Sequence, residues 1–335
     1  MKRWIMYGVA AIVSLIVLVT IAGVVYEMAS RSRAAREFPP QGKLVDIGGR
    51  RIQLDCRGTG SPTVVFEAGL DINGSLSWSA VHDEIAKTTR ACAYSRAGIM
   101  WSDPKDGPQN GKNIAEDLHA TLARAGEQPP FVMVGHSLGG PYIMTYTKYF
   151  GQDVAGLVFV DSSHPDQVQR FNAVTSYSPS SMITLIKAGA AFAWTGAVRM
   201  VPLATQGVPH QPPRAVRAMA AYAPTSLGSM LKEIESMDET LAEAGSFTQL
   251  GKRPLYVLTS MAPLPQEALA ALKLTPEQGR QYKEIWKGMH DEEASWSSNS
   301  RHQLVADAGH YIQFDRPDIV IEAVRSVVSD IRARR

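Results

Sequence analysis

Phe131-Val132-Met133-Val134-Gly135-His136-Ser137-Leu138-Gly139-Gly140-Pro141 is the stretch on which the reading of the fold turns. Its first four residues are apolar with no polar alternation, as in a strand buried on both faces. Its last, Pro141, suits the first turn of a helix, where a missing N–H costs little. Between them lies Gly-x-Ser-x-Gly, a serine on a tight strand-to-helix turn. The turn lifts the hydroxyl above the sheet, and the flanking glycines leave room for neighbouring backbone. The Leu138 N–H and the following helix terminus face any negative charge that develops beside it. The bare pattern recurs by chance; its weight here comes from the strand before it and the helix after it.

Outward from this turn, short β-branched runs alternate with longer amphipathic stretches. Strands are expected at 44–47, 51–56, 63–68, 90–94, 131–134, 156–160, 254–259 and 302–306. Helices are expected at 78–87, 113–125, 141–150 and 318–332. Gly48-Gly49 between the first two strands signals a hairpin. The later alternation implies a mostly parallel sheet covered on both faces. About ninety residues separate Val160 from Pro254, too many for a plain loop. Helical periodicity at 182–200, 214–221 and 227–244, punctuated by prolines, predicts a helical cap over the carboxyl edge of the sheet. A second helical insertion is expected at 261–301.

The chain has 335 residues, and 34 Lys+Arg minus 32 Asp+Glu leaves +2, which argues against nucleic acid as a partner. With 45% apolar residues it can bury a core, and two cysteines exclude a disulfide-stapled mini-protein or a four-cysteine zinc site. Trp4–Tyr26 carries no charge. As a helix these 23 residues reach about 34 Å, enough to cross a hydrocarbon core of about 30 Å. A signal peptide cleaved near Ser32-Arg33-Ala34 is the rival reading, disfavoured by the length of the run. Positive charges flank the run almost evenly and do not fix its orientation. The expected organisation is an anchor at 1–28, a tether at 29–42, a core at 43–162 and 253–335, and a cap at 163–252.

From about Lys43 to Val328 the chain resembles the α/β-hydrolase fold family, in particular bacterial hydrolases with an amino-terminal membrane segment. Besides the serine turn, the likeness rests on Val65-Phe66-Glu67-Ala68-Gly69-Leu70, Tyr94-Ser95-Arg96-Ala97-Gly98, Val158-Phe159-Val160-Asp161-Ser162-Ser163-His164-Pro165 and Gly309-His310-Tyr311-Ile312. It implies an eight-stranded sheet and a triad in the order serine, acid, histidine. A serine hydroxyl needs a base. Of eight histidines, His310 alone follows the last strand before the final helix, where the family carries its base. A loop histidine capping that helix is the bland alternative, weakened because Asp315 and Pro317 already offer a cap. The expected acid is Asp161, at the end of the sixth strand, a position some family members use; Glu267, after the seventh, is the alternative. His164 reads as a solvated loop residue that could instead line the pocket.

The oxyanion is expected to bind the backbone N–H groups of Leu70 and Leu138. Two departures stand out. Many relatives have His-Gly where this chain has Ala68-Gly69, and Asp-Arg-x-Gly-x-Gly-x-Ser where it has Ser95 to Ser102. Family sheet order sets the strands of Cys56 and Cys92 side by side, so the two cysteines form a disulfide or are small buried hydrophobes. A disulfide would favour an extracytoplasmic domain. The expected function is a single-pass, membrane-anchored serine hydrolase that cleaves a carboxylic ester or related acyl bond. Its partners would be the bilayer and a small, lipophilic acyl substrate, with no metal or organic cofactor. The alternative is a non-catalytic, membrane-tethered binding protein that keeps the fold. Ala10 and Ser14 give only thin support for a partner helix in the membrane.

Overall fold

The computed structural model describes residues 2–172, 174–175, 180–201 and 207–334. Its eight strands are β1 (Lys43–Asp46), β2 (Arg51–Arg57), β3 (Thr63–Glu67), β4 (Ala91–Ser95), β5 (Phe131–His136), β6 (Val154–Val160), β7 (Leu255–Ser260) and β8 (Ser300–Val305). They lie in the order β1-β2-β4-β3-β5-β6-β7-β8. The β1–β2 and β2–β4 pairs are antiparallel, and every other pair is parallel. All eight expected strands are present, displaced by a few residues at their ends.

Twelve helices accompany them among the described residues: α1 (Lys2–Glu37), α2 (His82–Ala86), α3 (Gly111–Ala125), α4 (Gly139–Phe150), α5 (Gln167–Phe171), α6 (Ser180–Phe192), α7 (Pro213–Glu235), α8 (Met237–Gly245), α9 (Gln266–Leu272), α10 (Pro276–Ser295), α11 (Ile312–Asp315) and α12 (Pro317–Arg332). The unbroken apolar strands are buried on both faces. Val65 and Met133 point toward α3 and α4 with Leu118, Leu122 and Ile143. Their strand neighbours Val64, Phe66, Val132 and Val134 point the other way, toward Ile85 and the Val320, Val324 and Val327 stripe of α12. This alternation within a wholly apolar run is what a period of two gives when both faces are covered.

Besides the helix expected at 78–87, which shortens to His82–Ala86, three elements differ from expectation. Helix α1 runs to Glu37, so most of the stretch read as a tether is helical. It is the one described helix long and apolar enough to cross a membrane. Helix α7 passes through Pro224, where two helices were expected. A proline inside a helix costs about 3 kcal/mol in isolation. Here Pro224 is buried, and beside it Ser226 Oγ accepts the Met100 N–H at 3.0 Å, so tertiary packing prevails over local propensity. The third is at Asp315, which does not cap α12: the cap position is Arg316, with no side-chain bond.

The cap meets the core at loops that follow the carboxyl ends of β3 and β4. Gln211 Nε2 donates to Asn73 Oδ1 at 2.8 Å, and Arg96 binds Glu233 of α7. Cys56 and Cys92 face each other in the β2–β4 register and are disulfide-bonded.

Candidate active site

Ser137 sits between β5 and α4 with φ 52°, a left-handed conformation that a serine rarely adopts. The surroundings hold it there. Its N–H donates to Val160 O at 3.3 Å, and its carbonyl accepts from the Gly140 and Ser163 N–H groups, each at 2.9 Å. The elbow glycines are required by close approach. A Cβ on Gly139 would lie 2.5 Å from Glu67 O, and one on Gly135 2.5 Å from Gly139 O. Strain of about 1–3 kcal/mol at such a residue persists only where packing enforces it.

Asp161, at the end of β6, is also left-handed, with φ 47°. Its carboxylate is buried and meets four donors. His310 Nδ1 lies 2.7 Å from Oδ2, and Ser260 Oγ donates to the same oxygen at 2.9 Å. The Ser260 N–H at 2.7 Å and Trp286 Nε1 at 2.8 Å donate to Oδ1. Lys283 Nζ in turn donates to Ser260 O at 3.0 Å and to Ser260 Oγ at 2.9 Å. Burial alone would raise the Asp161 carboxyl. The hydrogen bond from His310, with the Lys283 charge nearby, outweighs it and holds the group well below the usual carboxylate range. An ionised acid fixes Nδ1 of His310 as the donor and leaves Nε2 with a lone pair.

The alternative acid Glu267 lies exposed on α9, with no bond to His310 among the described residues. His310 opens a loop held from two sides. His136 Nε2 donates to the His310 carbonyl at 2.9 Å, and Asp315 Oδ2 accepts the Gly309 N–H at 2.7 Å. Burial and the neighbouring His310 push the His136 imidazole down to about 3, so it stays neutral. His164 is not solvated as expected. It is 1% exposed, its ring packs on Trp296, and its Nδ1 accepts the Asp166 N–H at 3.1 Å.

Gly69 lies against the serine, since a Cβ there would be 2.9 Å from Ser137 Cβ. The neighbouring Leu70 packs in one apolar cluster with Leu138, Ile114, Tyr142 and Leu241. The two residues whose backbone N–H groups are expected to face an oxyanion therefore share one apolar cluster. Arg96 holds this segment: its Nη1 donates to Ala68 O and to Glu67 Oε1, each at 2.8 Å, and its Nη2 to Gly69 O at 2.7 Å. Its other edge grips Glu233 of α7 in two bonds of 2.8 Å. Burial pushes the Glu67 carboxyl up to about 7 against the pull of Arg96. In the second departing loop, Met100 takes φ 51° at the position where relatives carry a glycine. The backbone there keeps a glycine-like conformation despite the side chain.

Sequence reasoning assigned no role to Arg96, His136, Ser260, Lys283 or Trp286, and it read Asp315 as a helix cap, not as the partner of the Gly309 N–H. Arg96 and His136 stood inside quoted motifs. Nothing in local sequence links Trp286 to an acid 125 positions away. Phe171, Tyr282 and Trp286 stack at 4.0 and 5.4 Å beside His310, forming an aromatic wall shared by α5 and α10. Two described groups have metal-ligand proximity. In one, Cys56 and Cys92 are disulfide-bonded and offer no thiolate. In the other, Arg170 Nη2 already binds both carboxylates beside His164, Asp166 at 3.1 Å and Glu292 at 2.5 Å.

Residues 35–323 match the model of the Alpha/beta hydrolase family. Among curated proteins, "Probable transporter efuK" of Hormonema carpetanum is 35% identical over 130 residues, covering 36% of this chain and 18% of that protein. The chain spans less than half the length of the first curated relatives it matches. Among solved structures, a thermophilic esterase from Thermogutta terrifontis is 17% identical with a TM-score of 0.60, covering 87% of this chain and 98% of the other. A Pseudomonas aeruginosa protein described as an epoxide hydrolase is 18% identical with a TM-score of 0.60, covering 88% and 98%. These are likenesses of fold.

Proposed function

Because the chain belongs to the alpha/beta hydrolase family, we propose that it is a membrane-anchored serine hydrolase acting on a carboxylic ester. The observation that carries this reading is the buried Asp161 bonded to His310, whose ring lies 4.7 Å from that of His136, the residue before a serine on a left-handed elbow. In this fold epoxide hydrolase chemistry is associated with aspartate at the elbow; here the residue is Ser137.

His310 Nε2 takes the Ser137 proton as Oγ attacks the acyl carbonyl, and Asp161 stabilises the imidazolium that forms. The Leu70 and Leu138 N–H groups hold the oxyanion. His310 then protonates the leaving alkoxide. Water, deprotonated by the same imidazole, attacks the acyl-enzyme and releases the acid and free Ser137. The aromatic wall of Phe171, Tyr282 and Trp286 favours a lipophilic ester. Helix α1 anchors the enzyme, and the Cys56–Cys92 disulfide supports a domain outside the cytoplasm.

Fluorophosphonate labelling of detergent-solubilised protein tests the chemistry. Wild type should label, and Ser137→Ala should not. Folded wild type that resists the probe and hydrolyses no ester would overturn the reading in favour of a binding protein on this fold. Reporter fusions at each terminus test the topology; a carboxyl-terminal reporter active only in the cytoplasm would refute an external domain.

A further inference from the structure

Helix α1 is joined to the cap, and the join begins inside its apolar run. Thr20, Gly23, Val24, Glu27, Ser30 and Ala34 are the positions withdrawn from solvent, and they recur every three or four residues along one face. Gly23 makes the closest approach: a Cβ there would lie 2.2 Å from the carbonyl oxygen of Thr195. Gly196 answers it with φ 75°, and a Cβ there would lie 2.9 Å from Gly23 O. One turn on, the buried Glu27 accepts from Arg199 Nε at 2.5 Å, from Arg199 Nη2 at 3.1 Å and from Arg31 Nε at 2.8 Å.

The depth of this join follows from helix arithmetic. Gly23 lies about 4.5 Å before the end of the apolar run at Tyr26, and Thr20 about 9 Å before it. The run exceeds a hydrocarbon core of about 30 Å by only about 4 Å. If the run spans, Gly23 is at the hydrocarbon boundary, and the Ala193–Thr195 turn packed on it is at the same level. The surface around that turn is apolar. Phe192 is 59% exposed, Trp194 52% and Met200 81%. On α6, Met182 and Leu185 precede Phe192 by ten and seven positions and are also exposed, extending the patch along one helix face.

We propose that this part of the cap, α6 with the Ala193–Met200 turns, is seated in the interface of the bilayer that α1 crosses. The occupant of the apolar patch is lipid. The inference rests on the reading of α1 as an anchor and adds that the cap itself enters the interface. It joins an apolar patch to a span through a tight backbone contact, which a flexible tether would not provide. Trp194 suits such a position, since its ring combines an apolar body with one N–H donor.

The test uses the full chain in phosphatidylcholine nanodiscs. Its two cysteines are disulfide-bonded, so a single added cysteine can carry an environment-sensitive fluorophore without reduction. Phe192→Cys and Met200→Cys report the patch, Ile12→Cys the middle of the span, and Leu304→Cys the exposed edge strand far from it. Lipids with a shallow nitroxide should quench the probes at 192 and 200, and deep nitroxides should quench the probe at 12. Position 304 should respond to neither. Probes at 192 and 200 that ignore both nitroxides while position 12 is quenched would refute cap seating and leave the anchor standing. An unquenched probe at 12 would remove the anchor, and the proposal with it. Probes at 192 and 200 shielded only when two chains share a disc would assign the patch to a second copy and overturn the proposal.

Discussion

Replacing Asp161 by asparagine puts an amide nitrogen into a site that presents only donors. At the Oδ1 position the nitrogen would oppose the Ser260 N–H and Trp286 Nε1–H, neither of which can reverse. At the Oδ2 position it meets the Ser260 hydroxyl, which can rotate, and His310, which can change tautomer. The second placement wins. Nδ1 of His310 then becomes an acceptor and its proton moves to Nε2, the nitrogen that must receive the proton of Ser137. Shape and burial are unchanged, so the loss should fall on the chemical step. A mis-set tautomer of this kind lowers kcat by about 10⁴, or about 5.5 kcal/mol of barrier. The assay is the fluorophosphonate labelling rate and ester turnover, with circular dichroism and the melting temperature as controls. Asp161→Asn that melts with wild type and reacts within tenfold of it would refute the assignment of Asp161.

Three further outcomes are expected. Arg96→Met leaves Glu67 and Glu233 buried without their cation and should cost about 3–5 kcal/mol, read as a lower denaturant midpoint together with lost labelling; an unchanged midpoint would sink this account of the loop. Cys56→Ala with Cys92→Ala removes a crosslink between residues 36 apart and should cost about 4 kcal/mol on chain-entropy grounds, while reductant should leave the double variant's melting unmoved. Burial pushes the His290 imidazole down to about 4, so the fold keeps it neutral while the unfolded chain protonates it below about pH 6.5. Its stabilisation is present above that pH and is lost as pH falls toward 4. Glu67, raised to about 7, acts in the opposite sense, so the readout is a comparison. Melting temperature should fall less steeply from pH 7 to 5 in His290→Gln than in wild type, and parallel slopes would contradict the prediction.

The central strands β3, β5, β6 and β7 were legible because each is a largely apolar run bounded by turn residues, as a parallel strand covered on both faces must be; β2 and the edge strand β8, RIQLDCR and SRHQLV, carry a weaker signal. Ser137 and His310 were legible because chain order and local motif place them. Asp161 was legible as a strand-end carboxylate, but its choice over Glu267 rests on a long-range fact: β6 ends facing His310, whereas α9 carries Glu267 into solvent. The clamp of Lys283 and Trp286 could not be read, since α10 lies more than a hundred residues from the acid and its amphipathic pattern serves any surface helix equally. His164 was misjudged because a polar residue after a strand usually faces water; here Trp296 covers it.

The Arg96 guanidinium ties the loop beside Ser137 to Glu233 of α7, and that tie divides the cap mechanically. Helix α7 is a fixed beam, bolted to the core through Glu233 and through Ser226 to Met100, and to the segment after α1 through Tyr222 to Phe38. Swinging it aside would break the buried Arg96–Glu233 pair and loosen the guanidinium that holds the Ala68–Gly69 segment. Helix α6 packs onto α7 and the turns that follow it. Any opening of the site that keeps the reacting groups aligned therefore has to leave α7 in place.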